Sequence, residues 1–212
     1  MDNSTTIAGA RRPPAKPSPW GLFFQGFLKH PVMVGAVLPS SSHVIRSMLA
    51  RVDWQRAKVF VEYGPGVGTF CQPVLDRMPA DGQLIAIDTN PDFIAYLNDT
   101  IRDSRFEAVL GSAADVAQIL AERGHDGADF VLSGLPFSTL PPGVGDAIAR
   151  ATAHVLGDDG TFLVYQYRPK CRSFFAPYLP VIEHSVEWRN LPPTQLYWAR
   201  KAPAADPESN DS

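Results

Sequence analysis

The chain has 212 residues, of which 45% are hydrophobic, and its formal net charge is −3. This size and composition suit one globular domain with a sizeable core. The chain has 2 cysteines, Cys71 and Cys171, which follow no metal-ligand spacing. So few cysteines exclude a disulfide framework and a cysteine metal site, and they favour a reducing compartment.

The charge is unevenly distributed along the chain. Residues 1–60 contain eight basic and two acidic residues, a net charge of +6, which leaves −9 for the remainder. A basic segment on an acidic body favours contact with a polyanion at one end, either an anionic membrane surface or nucleic acid. The alternative is a solvated basic tail. We predict unfolded tails over residues 1–19 and 203–212 because both are short and polar.

A short amphipathic helix is predicted to begin after residue 19. Its apolar side chains recur at i, i+3, i+4, i+7 and i+8 and line one face: Trp20, Phe23, Phe24, Phe27 and Leu28. Lys29 lies on the other face. The helix, about 16 Å long, is too short to span a bilayer, which takes about 20 residues. The pattern predicts a monotopic membrane helix, and the alternative is a lid over the active site. No signal-peptide cleavage site follows this segment.

Strand-like and helix-like segments alternate in the predicted main domain, residues 57–202, which follows an N-terminal helix and lid or substrate segment over 20–56. Strands are predicted at 59–63, 84–88, 106–110, 130–133, 161–167, 182–188 and 196–200, and helices at 70–77, 91–102, 113–123 and 145–156. Asn90 is the predicted cap of the second helix, with Pro91 at its first position.

This alternation predicts an α/β fold with a doubly wound, mostly parallel sheet. The link at 189–194 is too short for a helical crossover, so the last two strands should form an antiparallel hairpin. Seven strands ending in such a hairpin are the Rossmann-like architecture of the class I methyltransferases.

A glycine-rich turn follows the first predicted strand. Glu62 closes the strand, Gly64, Gly66 and Gly68 follow at alternate positions, and Asp88 closes the next strand. Glycines let backbone amides approach a nucleotide-like ligand, and an acid about 20 residues later suits ribose hydroxyls. A dinucleotide site prefers G-x-G-x-x-G and needs no acid before the turn. An acid there suits an amino group on the ligand, so we predict S-adenosylmethionine rather than a dinucleotide or a turn without a ligand.

The carboxyl ends of the first four strands should meet at one crevice. Asp88 is predicted to hold the ribose, and Ser112 with Ala113 to bound the adenine; each acid or hydroxyl has an alternative role as a helix cap. The full predicted cofactor set is Glu62, Tyr63, Gly64, Gly66, Gly68, Asp88, Thr89, Ser112, Ala113 and Ser133. No metal site is predicted.

The segment after the fourth strand is the predicted acceptor site. Amine and adenine N-methyltransferases carry a segment like Asn-Pro-Pro-Tyr here, and this chain has Ser-Gly-Leu-Pro-Phe at 133–137. The alternative is a simple loop of turn residues. A methylated amine stays cationic and aromatic faces can hold it; Tyr167 is one candidate. The predicted substrate set is Ser40, Ser133, Gly134, Leu135, Pro136, Phe137, Tyr165 and Trp188, and we assign no catalytic residue.

The motifs together resemble the bacterial phospholipid N-methyltransferases over roughly residues 20–200. The matching segments are 23–28 (Phe-Phe-Gln-Gly-Phe-Leu), 35–41 (Gly-Ala-Val-Leu-Pro-Ser-Ser), 62–68 (Glu-Tyr-Gly-Pro-Gly-Val-Gly), 90–93 (Asn-Pro-Asp-Phe), 133–136 (Ser-Gly-Leu-Pro) and 188–193 (Trp-Arg-Asn-Leu-Pro-Pro). Tyr63 replaces the Leu usual in the glycine motif, and Ser112 stands where methyltransferases often have Asp.

The resemblance implies a cytoplasmic enzyme, peripheral to the inner face of the cell membrane, that uses S-adenosylmethionine to methylate the amine of phosphatidylethanolamine toward phosphatidylcholine. It implies that the N-terminal helix docks on anionic lipid and that residues 35–42 lie near the donor. Ornithine lipid is an alternative acceptor. RNA adenine is another, although nucleic acid is not expected as a partner because no RNA-binding domain follows the last strand. A non-catalytic sensor of the donor is the third alternative.

Overall fold

The computed structural model describes residues 41–203, which form a seven-stranded sheet with helices on both faces. The strands are β1 (Val59–Tyr63), β2 (Gln83–Asp88), β3 (Phe106–Leu110), β4 (Ala128–Ser133), β5 (Leu156–Gln166), β6 (Val181–Glu187) and β7 (Thr194–Arg200). The α-helices are α1 (Ser42–Leu49), α2 (Cys71–Leu75), α3 (Pro91–Thr100), α4 (Val116–Ala121), α5 (Val144–Val155) and α6 (Arg172–Phe175).

The strand order is β3-β2-β1-β4-β5-β7-β6. Strands β1 to β5 run parallel, and β7 pairs antiparallel with both β5 and β6. The chain therefore winds outward from β1 in one direction, returns to β4 beside β1, and winds outward in the other. This confirms the predicted doubly wound sheet with a C-terminal antiparallel hairpin, and it puts the change of direction at β1 and β4, where such sheets bind ligands.

Each face of the sheet carries its own hydrophobic core because side chains alternate along every strand. On β1, Val61 and Tyr63 pack beneath α4 and α5, and Phe60 packs on the opposite face with residues of α1 and α2. The central strands are buried on both faces, which explains their continuous apolar runs.

Helix α1 was not predicted, and it anchors the sheet's C-terminal hairpin. Ser41 caps it, with its Oγ accepting from the Val44 amide at 3.4 Å, and Val44 and Met48 are buried. The Trp198 indole donates to the Met48 carbonyl at 3.0 Å. Residues 42–49 thus pack on the same face of the sheet as α2.

The largest differences from the sequence prediction lie at two elements, whereas the ends of the other predicted helices and strands agree within two residues. Strand β5 begins at Leu156, directly after α5, although 157–160 (Gly-Asp-Asp-Gly) had the composition of a turn. The predicted helix over 113–123 is a short 3₁₀ turn at Ala113–Asp115 followed by α4. Asn90 caps α3 as predicted, its side chain accepting from the Asp92 amide at 2.9 Å.

Between residues 41 and 203 no helix is long and apolar enough to cross a membrane. In the same range, no group of three or more side chains is arranged to hold a metal ion. Residues 1–40, which include Ser40 and the predicted helix from Trp20 to Lys29, and the tail beyond residue 203 lie outside the described residues, so the predictions made for them stay predictions.

Candidate active site

The glycine turn after β1 has a backbone that other residues rarely adopt. Gly64, Gly66 and Gly68 have φ of 64°, 56° and 76°, in the left-handed region. A Cβ on Gly64 would lie 2.8 Å from Leu135 Cδ2, and one on Gly68 2.7 Å from Leu97 Cδ2. The turn therefore needs glycine both for its backbone conformation and for close packing, while Gly66 faces open space.

Backbone hydrogen bonds hold the four strand ends together. The Gly64 amide donates to the Ile87 carbonyl at 2.9 Å, and the Gly111 amide donates to the Asp88 carbonyl at 2.9 Å. The Gly134 amide reaches the Tyr63 carbonyl at 3.4 Å. The segments after β1, β2, β3 and β4 therefore meet at one edge, as the sequence predicted.

A crevice opens at this edge, with about 340 Å³ of empty space that includes part of the open mouth. Its lining residues are Gly64, Ile87, Asp88, Thr89, Gly111, Ser112, Ala113, Leu135, Leu140 and Ile148. Six of these were among the predicted site residues. Ile87 and Gly111 adjoin predicted residues, whereas Leu140 and Ile148 reach the crevice from the segment after β4 and from α5.

Glu62 is a buried carboxylate with one free oxygen. Its residue is 1% exposed, and Oε2 accepts from the Cys71 thiol at 3.2 Å. Oε1 has no hydrogen-bond partner among the described residues. Burial raises the pKa of Glu62 to about 7; the Cys71 hydrogen bond lowers it, and the nearby Asp88 charge raises it further.

Asp88 lies beside the glycine turn. Its Oδ1 accepts from the Asn90 amide at 2.9 Å, and the amides of Gly66 and Thr89 also stabilise its charge. Burial nevertheless raises the Asp88 pKa above its ordinary value. Asn90, not Asp88, caps α3, so the carboxylate is not needed as the cap.

The two predicted serines both make local backbone contacts. Ser112 Oγ accepts from the Ala114 amide at 3.2 Å and caps the 3₁₀ turn at the crevice wall. Ser133 is fully buried, and its Oγ accepts from the Leu135 amide at 3.2 Å. Ser112 therefore caps a helical turn, as its alternative role predicted, and it also lines the crevice.

The acceptor loop at 133–137 is held from β5. The Gln166 side-chain amide donates to the Leu135 carbonyl, and a Cβ on Gly134 would lie 2.2 Å from the Tyr165 phenol oxygen. Tyr165 also packs on Phe70, with ring centroids 4.9 Å apart. Pro136 precedes a short 3₁₀ turn. Neighbouring β5 side chains thus fix the loop, and Gly134 is needed because the Tyr165 ring covers it.

The four predicted aromatic residues occupy different surroundings. Phe137 is 1% exposed and packs in the core against Phe162 and Phe174, at 6.3 and 5.8 Å between ring centroids. Tyr167 is half-buried, and Trp188 is 75% exposed at the end of β6. The binding of a methylated amine by these rings therefore stays a prediction.

The residues at this edge fit S-adenosylmethionine. Glu62 Oε1 and Thr89 Oγ1 are buried and have no hydrogen-bond partner among the described residues, although buried polar atoms are normally satisfied. A carboxylate oxygen without a donor suits a ligand ammonium, and the Gly66 amide of the glycine turn stabilises the charge of Asp88, the predicted ribose ligand. Cys71, whose thiol donates to Glu62, was not among the predicted site residues, and nothing in its sequence position signals the contact.

Comparison with known proteins relates the chain to methyltransferases. No protein-family model matches the chain. An ornithine lipid N-methyltransferase from Singulisphaera acidiphila is 33% identical over 181 residues, which cover 84% of this chain and 94% of that protein. The ribosomal RNA small subunit methyltransferase H of Cupriavidus necator is 39% identical, but over 72 residues that cover 34% of this chain and 21% of that protein.

Two solved structures share the fold. The 1,6-didemethyltoxoflavin-N1-methyltransferase of Burkholderia thailandensis, solved with S-adenosylhomocysteine, has a TM-score of 0.65 and 15% identity and covers 95% of this chain and 97% of its own. The precorrin-6y C5,15-methyltransferase of Geobacter metallireducens has a TM-score of 0.63 and 16% identity, with 77% and 90% covered. On the match to the Singulisphaera acidiphila protein, the chain belongs to the bacterial lipid N-methyltransferase family of class I S-adenosylmethionine-dependent methyltransferases.

Proposed function

We propose that the enzyme methylates the primary amine of a membrane aminolipid, either phosphatidylethanolamine or ornithine lipid. The observation that carries this proposal is the match over 94% of the Singulisphaera acidiphila lipid N-methyltransferase, because the fold alone is shared by enzymes with unrelated acceptors. The glycine turn and the buried acids supply the donor half of the same proposal.

Three groups are proposed to hold the donor, and two of them, Asp88 and Ser112, line the crevice. Glu62 offers its free Oε1 to the ammonium of the methionine part, Asp88 accepts from the ribose hydroxyls, and Ser112 bounds the adenine with Ala113. When bound, S-adenosylmethionine supplies an electrophilic methyl group on its sulfonium. The protein's task is then to align the acceptor with that methyl and to exclude water.

The acceptor amine must lose a proton before it can react. An alkylammonium has an ordinary pKa near 10.4, by analogy with lysine, and an apolar mouth lowers that value by disfavouring the charged form. The loop at 133–136, held by Gln166 and Tyr165, is the proposed position of the amine. The aromatic face of Tyr165 would attract the cationic product.

Two head groups compete for this site. The resemblance to the phospholipid N-methyltransferases favours phosphatidylethanolamine, whereas the similarity to the Singulisphaera acidiphila ornithine lipid N-methyltransferase favours ornithine lipid. Both lipids present a primary alkylamine beside an anionic group, so the same donor geometry serves either. RNA is the weaker alternative, because the rRNA methyltransferase match covers only 34% of this chain.

Separate vesicle assays distinguish the head groups. The purified chain is incubated with methyl-labelled donor and vesicles of anionic lipid containing either phosphatidylethanolamine or ornithine lipid. We expect chromatography of the extracted lipids to show label in mono-, di- or trimethylated forms of one of them. The Asp88→Ala variant is the control for donor-dependent transfer. Label in neither lipid, with donor binding intact, would refute an aminolipid acceptor.

The membrane partner of residues 1–40 is part of the same proposal. The amphipathic pattern of residues 20–29 supports docking on anionic lipid at the inner face of the membrane. Deleting residues 1–30 should spare donor binding and reduce sedimentation with anionic vesicles. A truncated chain that still sediments fully would show that this segment is not required for membrane binding.

A further inference from the structure

A second surface at the crevice edge has the chemistry of a lipid contact. β7 is antiparallel to β5, with Gln166 opposite Gln195, and β6 is antiparallel to β7, with Glu187 opposite Thr194. The turn at 188–193 therefore lies at the sheet edge where β1 to β5 end. It stands beside the loop that follows β5, at the same edge as the donor crevice.

This edge is unusually apolar. Six large hydrophobic side chains in the described residues are strongly exposed, and four of them lie here: Val67, Leu110, Trp188 and Leu191. Trp188 and Leu191 are the most exposed of the six, at 75% and 87%. Tryptophan prefers the boundary between apolar and aqueous phases, because its ring is apolar and its N–H is polar.

The turn holds these side chains on a fixed base. The Arg189 side chain donates two hydrogen bonds to the Glu187 carboxylate, at 2.9 and 3.0 Å, and Glu187 also accepts from Ser47 of α1 at 2.7 Å. The Asn190 side chain donates to the Pro192 carbonyl and to Thr194 Oγ1, both at 2.9 Å. Two apolar side chains are thus presented to solvent by a turn tied to both β6 and α1.

The neighbouring loop contributes positive charge. Arg168 and Lys170, on the segment after β5, and Arg172, at the start of α6, are exposed, and none of them forms an ion pair with another described residue. Residues 167–182 contain no acidic residue, although the whole chain has a net charge of −3. Lys170 and Arg172 line a shallow depression together with Ser173. Unpaired cations beside exposed apolar side chains complement an anionic lipid surface.

We propose that Trp188, Leu191, Arg168, Lys170 and Arg172 form a membrane-contact rim that turns the crevice toward the lipid surface. In this arrangement, Trp188 and Leu191 enter the head-group region and the three cations meet lipid phosphates. This proposal rests on the proposed function, because an enzyme that acts on a membrane lipid must bring its crevice to the membrane. The rim is separate from the predicted N-terminal helix and can be tested apart from it.

The test is vesicle sedimentation of the full chain with mixtures of phosphatidylglycerol and phosphatidylcholine. Trp188→Ala with Leu191→Ala should weaken partitioning about tenfold or more, since each buries one large apolar side chain. Replacing Arg168, Lys170 and Arg172 by Gln should weaken binding to phosphatidylglycerol-rich vesicles by about fivefold per cation. Val181→Ser, at the opposite edge of the sheet and 38% exposed, is the matched control and should bind as the wild type does.

Circular dichroism and thermal unfolding report whether each variant is folded. Rim variants that fold and sediment like the wild type would overturn the proposal and leave membrane binding to residues 1–40. A wild-type dimer that Trp188→Ala with Leu191→Ala converts to a monomer, with sedimentation unchanged, would overturn it in favour of a subunit interface. A chain that binds vesicles through the rim but methylates no lipid would support the rim and refute the proposed acceptor instead.

Discussion

Replacing Glu62 by Gln should make the ligand-free enzyme more stable at alkaline pH. Glu62, in β1 just before the glycine turn, is buried with one carboxylate oxygen unpaired among the described residues. Burial is the largest cause that raises its pKa from 4.5 to about 7. The folded state therefore holds this proton more tightly than the unfolded chain does, and stability falls as the pH rises through that interval.

The size of the effect follows from the two pKa values. A group with a pKa of 4.5 unfolded and about 7 folded reduces the free energy of unfolding by about 2.5 kcal/mol between about pH 5 and about pH 8. Glutamine does not titrate and avoids this loss. The Glu62→Gln variant should therefore gain about this much, relative to the wild type, over the same pH interval.

Urea unfolding of both proteins at the two pH values measures this gain. Glu187 provides a matched control, because a hydrogen bond from Arg189, and to a smaller extent one from Ser47, lowers its pKa to about 2. Glu187 is ionised in both states across this range, so the effect of Glu187→Gln should not change with pH. A stability difference between wild type and Glu62→Gln that is equal at both pH values would refute the assignment of a raised pKa to Glu62.

Three further predictions concern the donor and acceptor sites. Since only ionised Glu62 suits an ammonium, donor affinity measured by calorimetry should fall about fivefold from pH 7 to pH 6, relative to Glu62→Gln; parallel curves for the two proteins would contradict this. Asp88→Ala should weaken donor binding about a hundredfold by removing charged hydrogen bonds, and unchanged calorimetric binding would exclude the ribose role. Gly134→Ala, whose Cβ would lie 2.2 Å from the Tyr165 phenol oxygen, should cost about 1–3 kcal/mol in urea unfolding. Tyr165→Phe should restore part of that loss, and a fully stable Gly134→Ala would show that the loop is not packed as described.

The sheet could be predicted because its strands are short apolar runs closed by glycine, proline or an acid. β1 and β3 have the bounds that the sequence indicated. Helix α1 was missed because it is short and begins with the polar Ser42 and His43. It is held by contacts with Trp198 and Glu187, which lie more than a hundred residues away in sequence. The start of β5 was missed because local composition favoured a turn where pairing with β4 extends the strand.

The candidate site was predictable where it depends on strand ends. Asp88 and Ser112 directly follow or close apolar runs, and the topology brings such positions together. The contacts between Cys71 and Glu62 and between Gln166 and Leu135 depend on packing across separate elements. No sequence pattern predicts these contacts. The side chains that orient the site therefore became visible only in the structure.

The most direct test of aminolipid methylation is to locate the transferred methyl group. One reaction contains the purified enzyme, methyl-labelled S-adenosylmethionine, vesicles carrying phosphatidylethanolamine and ornithine lipid, and ribosomal RNA, and is then extracted with organic solvent. We expect label in the lipid phase, and we expect that label to be lost with Asp88→Ala. Label in the RNA, or in neither fraction while donor binding is intact, would contradict aminolipid methylation.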